Sequence, residues 1–199
     1  MKFGNGNRHY SFDYFAGSVI LNCEELATLI LKHYISPENR TEATYKGPNV
    51  PSSTIDSDFN EHHFQNIETK IGYKFQNRTL LLQAFTNGSH HYASKYGTYQ
   101  RLEFLGDAVL EYLIVRDIYA KRPKATNIQI GRLRSKLASN ANFATLAIKF
   151  GLNNFILCRS KIHGQKYCAD IFESLAAAVY LDSNKNLETV WQIFSKLMK

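Results

Sequence analysis

After residue 60, apolar residues recur at helical spacing in successive segments separated by Gly, Pro and Asn. These segments cover residues 62–75, 78–86, 98–120, 130–150, 167–182 and 186–199. No segment alternates apolar and polar residues with the period of two that a half-buried strand requires. The pattern therefore predicts an all-α domain of about six or seven helices over residues 61–199.

The first 60 residues have a different composition and form a separate region. Residues 37–60 contain three of the four prolines together with many Ser, Thr, Asn and Asp, which is typical of a connector. Before it, residues 18–35 carry apolar residues at helical spacing, with Asn22 as a candidate N-cap. We expect residues 1–60 to be a small helical extension with a linker, serving as a packing or dimerisation element.

Charge and cysteine content narrow the possible partners and compartments. The chain has 24 Lys and Arg against 17 Asp and Glu, and a net charge of +7 favours a polyanionic partner such as nucleic acid. Cys23, Cys158 and Cys168 form no CxxC pair, which argues against a disulfide framework and a structural zinc site. No secretory signal or membrane span is visible, so we expect an intracellular protein of the cytoplasm or nucleus.

The segment over residues 98–120 has apolar residues on nearly every side of the predicted helix and a narrow stripe of acidic residues on one side. Because apolar residues lie on nearly every side, we expect this helix in the middle of the domain. Gln100, Glu103, Asp107 and Glu111 fall within an arc of about 80° on one side of it. An ordinary solvated face is one interpretation. A bound cation is the other, because the stripe is narrow, of one sign, and holds no basic residue.

A second acidic pair lies in the segment over residues 167–182. Asp170 and Glu173 are three residues apart and share a face, and Ala176, Ala177 and Ala178 would allow another helix to approach closely. Packing the two helices together would bring four carboxylates to one point. Oxygen ligands without His or Cys suit a hard cation, Mg²⁺ or Mn²⁺, which can activate water against a phosphodiester.

The two acidic segments also resemble a known family. QRLEFLGDAVLEYL at residues 100–113 and DIFESLAAAVYLD at residues 170–182 resemble the two signature helices of ribonuclease III domains. The likeness extends over residues 61–199 and is closest to the second ribonuclease III domain of Dicer enzymes. It implies the ribonuclease III fold and two Mg²⁺ or Mn²⁺ ions per active site. It also implies that the catalytic metal ligands are Glu103, Asp107, Asp170 and Glu173.

The resemblance assigns further roles and shows several departures. Lys166 matches a lysine that would steady the scissile phosphate, Asn140 matches an asparagine of the helical core that would help order the site, and Phe104 with Leu105 matches the dimer interface. For Phe104, an ordinary core position is the alternative. The departures leave every expected metal ligand in place, and they are Gln100 for a Glu, Ala169 and Ala177 for Gly, and Asn87 for His.

The resulting prediction is a homodimeric endonuclease that cuts double-stranded RNA and leaves short 3′ overhangs, 5′-phosphates and 3′-hydroxyls. One alternative is an inert RNA-binding or scaffold protein on the same fold; another is a helical carboxylate protein that hydrolyses small phosphate esters or holds iron. We see no double-stranded-RNA-binding domain after the last helix, so we expect either a naturally short protein or a piece of a longer one, and a partner protein could supply the missing affinity for the duplex. Basic residues expected to contact the duplex are Arg132, Arg134, Lys136, Arg159 and Lys161.

Overall fold

The computed structural model describes residues 59–159 and 164–199, which form eight α-helices and one short 3-10 helix. Apart from one isolated bridge between Thr86 and Leu157, these residues contain no β-structure, so the all-α class is confirmed. The predicted extension over residues 1–60 lies almost entirely outside the described residues. The elements are α1 (Glu61–Ile71), α2 (Arg78–Phe85), α3 (Ala93–Tyr96), α4 (Gln100–Lys121), α5 (Asn127–Leu137), α6 (Asn140–Lys149), the 3-10 helix (Leu152–Phe155), α7 (Gln165–Asp182) and α8 (Leu187–Leu197).

Side-chain caps set several helix starts, and one of them corrects the sequence analysis. The continuous helix predicted over residues 130–150 is wrong, because the chain breaks between α5 and α6. Ser139 adopts an extended backbone there, and its hydroxyl accepts the backbone N–H of Asn142 at 3.2 Å. The Asn142 amide in turn donates to the carbonyl of Leu137 at 2.7 Å and satisfies the end of α5. The turn therefore needs neither Gly nor Pro.

The middle of the domain is occupied by α7, whereas the sequence pattern placed α4 there. Every residue of α7 from Ala169 to Val179 is buried, and this helix packs against α4, α6 and α2. One side of α4 is buried, but Phe104, Tyr112 and Tyr119 are exposed on the other. The apolar residues of α4 thus form two surfaces, one packed in the core and one exposed to solvent.

Buried polar contacts fix the position of α7 and the start of α4. The Ser174 hydroxyl donates to the carbonyl of Ala84 at 2.7 Å and ties α7 to α2. The backbone N–H of Tyr99 donates to the carbonyl of Thr86 at 3.0 Å, just before α4 begins. Among the described residues, no helix has both the length and the apolar character needed to cross a membrane.

Candidate metal centre

The two acidic helices cross with their backbones in contact. Gly106 in the middle of α4 faces the backbone of Glu173 in α7, and a Cβ at Gly106 would overlap the carbonyl oxygen of Glu173. Any side chain at this position would push the helices apart. Glu103 and Asp107 lie on α4 on either side of Gly106, so the crossing brings acids of both helices together.

Three of the four predicted carboxylates converge at this crossing. One oxygen each from Glu103, Asp170 and Glu173 lies within 4.8 Å of the others. Asp170 and Glu173 are only 1% and 4% exposed, while Glu103 is partly exposed. Asp107 is exposed and outside this group, although its charge acts on Glu173. The cluster thus has a buried pair of acids from α7, and the two acids of α4 lie on its solvent-facing side.

The pKa values of Glu173 and Glu103 are raised, first by burial and then by neighbouring negative charges. Burial, the largest cause, and the charges of Asp107, Glu103 and Asp170 together raise the pKa of Glu173 from 4.5 to about 8. The pKa of Glu103 is also raised, mainly by burial and then by the charge of Asp170. The cluster therefore carries more negative charge than its surroundings stabilise.

Two side chains contact Asp170 and partly offset this charge. The Lys166 ammonium donates to both Asp170 oxygens, at 3.0 and 2.9 Å, and lies 3.6 Å from a Glu103 oxygen. The pKa of Lys166 is raised, chiefly by its hydrogen bond to Asp170. The buried Tyr99 hydroxyl donates to Asp170 at 3.3 Å. Lys166 is thus one ammonium beside four acidic side chains, and it does not neutralise the cluster once Glu173 is ionised.

The donor set fits a hard divalent cation. The three converging ligand atoms are all carboxylate oxygens, which Mg²⁺ and Mn²⁺ prefer, and Mg²⁺ uses one or two direct carboxylates with water completing its shell. The raised pKa of Glu173, caused first by burial and then by the neighbouring acids, shows that its ionised form is disfavoured, and a bound cation would stabilise that form. Glu103, Asp170 and Glu173 are therefore the residues suited to hold such an ion.

Comparison with known proteins identifies the fold that carries this centre. Residues 100–184, which include both helices of the crossing, match the ribonuclease III domain family. The chain is 36% identical over 174 residues to endoribonuclease Dicer of Danio rerio, covering 68% of this chain and 9% of that protein. It is 34% identical over 206 residues to endoribonuclease dcr-1 of Caenorhabditis elegans, covering 82% of this chain and 11% of that protein.

The chain belongs to the ribonuclease III family. A solved nuclease domain of ribonuclease III from Campylobacter jejuni superposes with a TM-score of 0.62 and 26% identity, covering 68% of this chain and 95% of that domain. The chain spans only 9% to 11% of the length of the two Dicer proteins. The shared part is thus the ribonuclease III domain.

The predicted RNA contacts of the ribonuclease III domain are spread over its surface. Arg132, Arg134 and Lys136 are exposed on α5, and Arg159 is exposed after the 3-10 helix. Because alternate helical positions lie about 200° apart, Arg134 points away from the other two cations of α5. Its guanidinium pairs with Glu111 at 2.8 Å, so Glu111 has a salt-bridge partner. Lys161 lies outside the described residues.

The remaining predicted residues of the domain divide into exposed and partly buried ones. Phe104 is 84% exposed, so the alternative of an ordinary core residue is wrong, and Leu105 beside it is partly buried. Gln100 is exposed at the start of α4. Asn140 is exposed in the first turn of α6, so its predicted place in the helical core is wrong. The amide that secures this turn belongs to Asn142.

Sequence reasoning missed two residues that shape the centre, although both carried a signal. Tyr99 lies four residues, or one helical turn, before Glu103, so its position is on the same side of the chain as the acidic stripe of α4. From there its hydroxyl reaches Asp170. Gly106 lies inside a continuous 22-residue helix, where a glycine costs about 1 kcal/mol of stability relative to alanine. A glycine at such a position indicates a close packing contact. That contact is with the backbone of Glu173.

Proposed function

We propose that this chain cleaves double-stranded RNA by metal-assisted hydrolysis of phosphodiester bonds. The observation that carries the proposal is the convergence of Glu103, Asp170 and Glu173 at the crossing of α4 and α7. The similarity to endoribonuclease Dicer supports RNA as the substrate. The net charge of +7 on the full chain favours the same polyanionic partner.

The protein's own residues would perform distinct tasks at the centre. Glu173, Asp170 and Glu103 hold the divalent ions, and the exposed Asp107 completes the site towards solvent. When bound, such ions generate a nucleophile from water at neutral pH and neutralise charge on the phosphodiester. Tyr99 fixes the orientation of Asp170 through its hydroxyl. Lys166, whose side chain is 68% exposed, is positioned to reach a non-bridging phosphate oxygen.

A duplex has two antiparallel strands, and one centre serves one strand. We propose that two copies of the chain associate with two-fold symmetry, so that each copy cuts one strand. The resemblance to ribonuclease III implies that Phe104 with Leu105 would lie in this interface, and the 84% exposure of Phe104 leaves its ring available for such a contact. A Campylobacter jejuni ribonuclease III structure is described as flexible in the region involved in dimer formation.

The products that we propose are those that the resemblance to ribonuclease III implies. Cuts on opposite strands are staggered and leave short 3′ overhangs with 5′-phosphate and 3′-hydroxyl ends. The substrate would be recognised by duplex shape, phosphates and 2′-hydroxyls rather than by base sequence. We place this activity inside the cell, in RNA processing, with a partner protein adding affinity for the duplex.

The experiment compares Glu173→Gln with Glu111→Gln on a long RNA duplex in Mg²⁺. Glu173→Gln should reduce the cleavage rate about 1000-fold or more, because several kcal/mol of transition-state stabilisation depend on the ions. Glu111→Gln removes an acid from the same stripe, but one that pairs with Arg134 outside the cluster, and should change the rate about threefold or less.

Other results would replace the proposal with its alternatives. A wild-type protein that binds the duplex in Mg²⁺ and leaves it intact would be an inert RNA-binding or scaffold protein. Hydrolysis of nucleotides or other small phosphate esters with no duplex cleavage would assign the centre to a different substrate class. Equal loss of cleavage in both variants would contradict the assignment of the centre to Glu173.

A further inference from the structure

A basic cavity lies at the turn between α4 and α5, away from the metal centre. It has a volume of about 570 Å³ and is lined by four cationic side chains. The described residues that line it include no acid and no aromatic ring, and its other walls are formed by Pro, Ala, Leu and Gln. The cationic residues are Lys121, Arg122, Lys124 and Arg132.

Three of these cations have no acidic partner among the residues that the structure describes. Lys121 pairs with Asp117 at 2.9 Å, four residues earlier on α4. For Arg122, Lys124 and Arg132, no carboxylate of the described segments lies within 4.0 Å. Unpaired cations gathered around one cavity produce a positive potential that attracts an anion.

The turn that carries these cations is ordered by hydrogen bonds. The backbone N–H of Ala125 donates to the carbonyl of Arg122 at 2.9 Å, and Pro123 restricts the chain between them. Thr126 and Gln129 then form a capping box, in which the Gln129 side chain accepts the N–H of Thr126 at 2.8 Å. The cations are therefore held on a fixed backbone, which lowers the entropic cost of binding.

The residue that α4 contributes to the cavity, Lys121, lies on the same side of this helix as the acids. Lys121 follows Glu103 by 18 residues, which is five full turns, so the two Cα positions share one side of the helix. The rise of the helix places Lys121 about 21 Å beyond Asp107 and about 27 Å beyond Glu103. These distances exceed the Debye length of about 8 Å at physiological salt, so the acids do not cancel the potential of the cavity.

We propose that the α4–α5 cavity binds the phosphate backbone of the same RNA duplex, about 20 Å along α4 from the cut. This inference rests on the proposed function for the identity of the duplex. Arginine forks match phosphate oxygens, and the described lining offers no aromatic ring on which a nucleotide base would stack. The ligand is therefore an extended chain of phosphates rather than a mononucleotide.

The test measures binding of the full chain to a labelled RNA duplex in EDTA, where no cleavage occurs, over a series of salt concentrations. The variant Arg122→Gln/Lys124→Gln should bind about tenfold more weakly at low salt and lower the log–log salt slope by about 1 to 2. The control Lys196→Gln/Lys199→Gln removes the same charge from two exposed lysines at the other end of the chain and should leave the slope nearly unchanged.

Duplex length provides a second readout. A duplex too short to reach from the metal centre to the cavity should bind wild type and variant equally, whereas a longer one should separate them. Equal losses in the cavity variant and the control pair would overturn the inference. Unchanged duplex binding in the cavity variant would also overturn it. Duplex binding that depends on the cavity in a protein that does not cut RNA would keep the inference and remove the proposed function.

Discussion

Acidic side chains are buried or partly buried in two regions of the molecule. In one region hydrogen-bond donors surround them, and in the other they lie beside further acids. At the junction of α1, α2 and α7, Glu68 is 8% exposed and accepts hydrogen bonds from the Arg78 guanidinium and from the backbone N–H of Phe75. Asp182, at the end of α7, accepts the Tyr73 hydroxyl at 2.8 Å and two backbone N–H groups. Each oxygen at this junction has a donor.

At the crossing of α4 and α7, buried acids mostly face one another. Glu173 is more deeply buried than Glu68, but its largest electrostatic influences are the charges of Asp107, Glu103 and Asp170. Lys166 is the cation within reach among the described residues, and it contacts Asp170 and Glu103. The first region uses acids to join segments, while the second holds acids together at an energetic cost that a bound cation would relieve.

The difference depends on how closely the helices approach. At the first junction, Arg78 fits between the segments and reaches both Glu61 and Glu68. At the second, a Cβ at Gly106 would overlap the backbone of Glu173, so the helices lie in direct backbone contact, and the cation that reaches the acids, Lys166, contacts Asp170 and Glu103. A strained acidic cluster in a core that satisfies its other acids is typical of a functional site.

The largest expected effect comes from adding one methyl group at this crossing. Gly106→Ala should destabilise the fold by about 2–3 kcal/mol, because the new Cβ overlaps the Glu173 carbonyl and the helices must separate. The same shift should lower duplex cleavage about 100-fold, since small displacements of catalytic groups are costly. Urea unfolding and cleavage kinetics measure the two effects.

Gly131→Ala is the matched control for this substitution. Gly131 is also helical, but a Cβ there would meet nothing within 4 Å. The change should stabilise α5 by about 0.5–1 kcal/mol through helix propensity alone. If Gly106→Ala behaved like Gly131→Ala in both measurements, the contact at Gly106 would not be what brings the acids together.

The second prediction is that neutralising the two buried glutamates changes stability in opposite directions. In EDTA, burial of the Glu173 carboxylate costs stability above pH 4.5, and the cost grows until about pH 8, where its raised pKa lies. Glu173→Gln should remove this cost and stabilise the metal-free protein by roughly 2–3 kcal/mol at pH 8 and by almost nothing at pH 4.5. Glu68→Gln should instead destabilise it by about 1–3 kcal/mol, because Arg78 loses a partner.

Urea unfolding of both variants at pH 5 and pH 8 in EDTA shows whether each substitution raises or lowers the free energy of unfolding. Glu68→Gln also serves as the folding control, since its losses should be similar with and without Mg²⁺. Destabilisation of the metal-free protein by Glu173→Gln at pH 8 would mean that Glu173 is satisfied as Glu68 is. The contrast between the two regions would then not hold.

The candidate site was largely predictable from the sequence, because regular spacing translates directly into a shared helix face. Intervals of four in α4 and of three in α7 placed the acids of each helix on one side, and the expected packing of the two helices then grouped four acids, of which the structure brings together all but Asp107. The pairing of Arg134 with Glu111 could not be predicted from the sequence, because it depends on how α5 aligns with α4. The helix break at Ser139 was also missed, because its polar cap lies in an otherwise continuous helical pattern.

The smallest expected effect concerns the cation that the acidic cluster does contain. Lys166 contacts Asp170 and Glu103, so it competes with a divalent ion for the same oxygens and repels it. Lys166→Gln should therefore bind Mn²⁺ about three- to tenfold more tightly at low salt, as measured by calorimetry, while duplex cleavage falls because a phosphate contact is lost. Arg116→Gln, which breaks an exposed pair with Glu188, is the control and should change neither quantity. Weaker Mn²⁺ binding in Lys166→Gln would show that the lysine organises the carboxylates instead of competing for them, and the acidic cluster would then resemble the Glu68 junction, where a cation completes the structure.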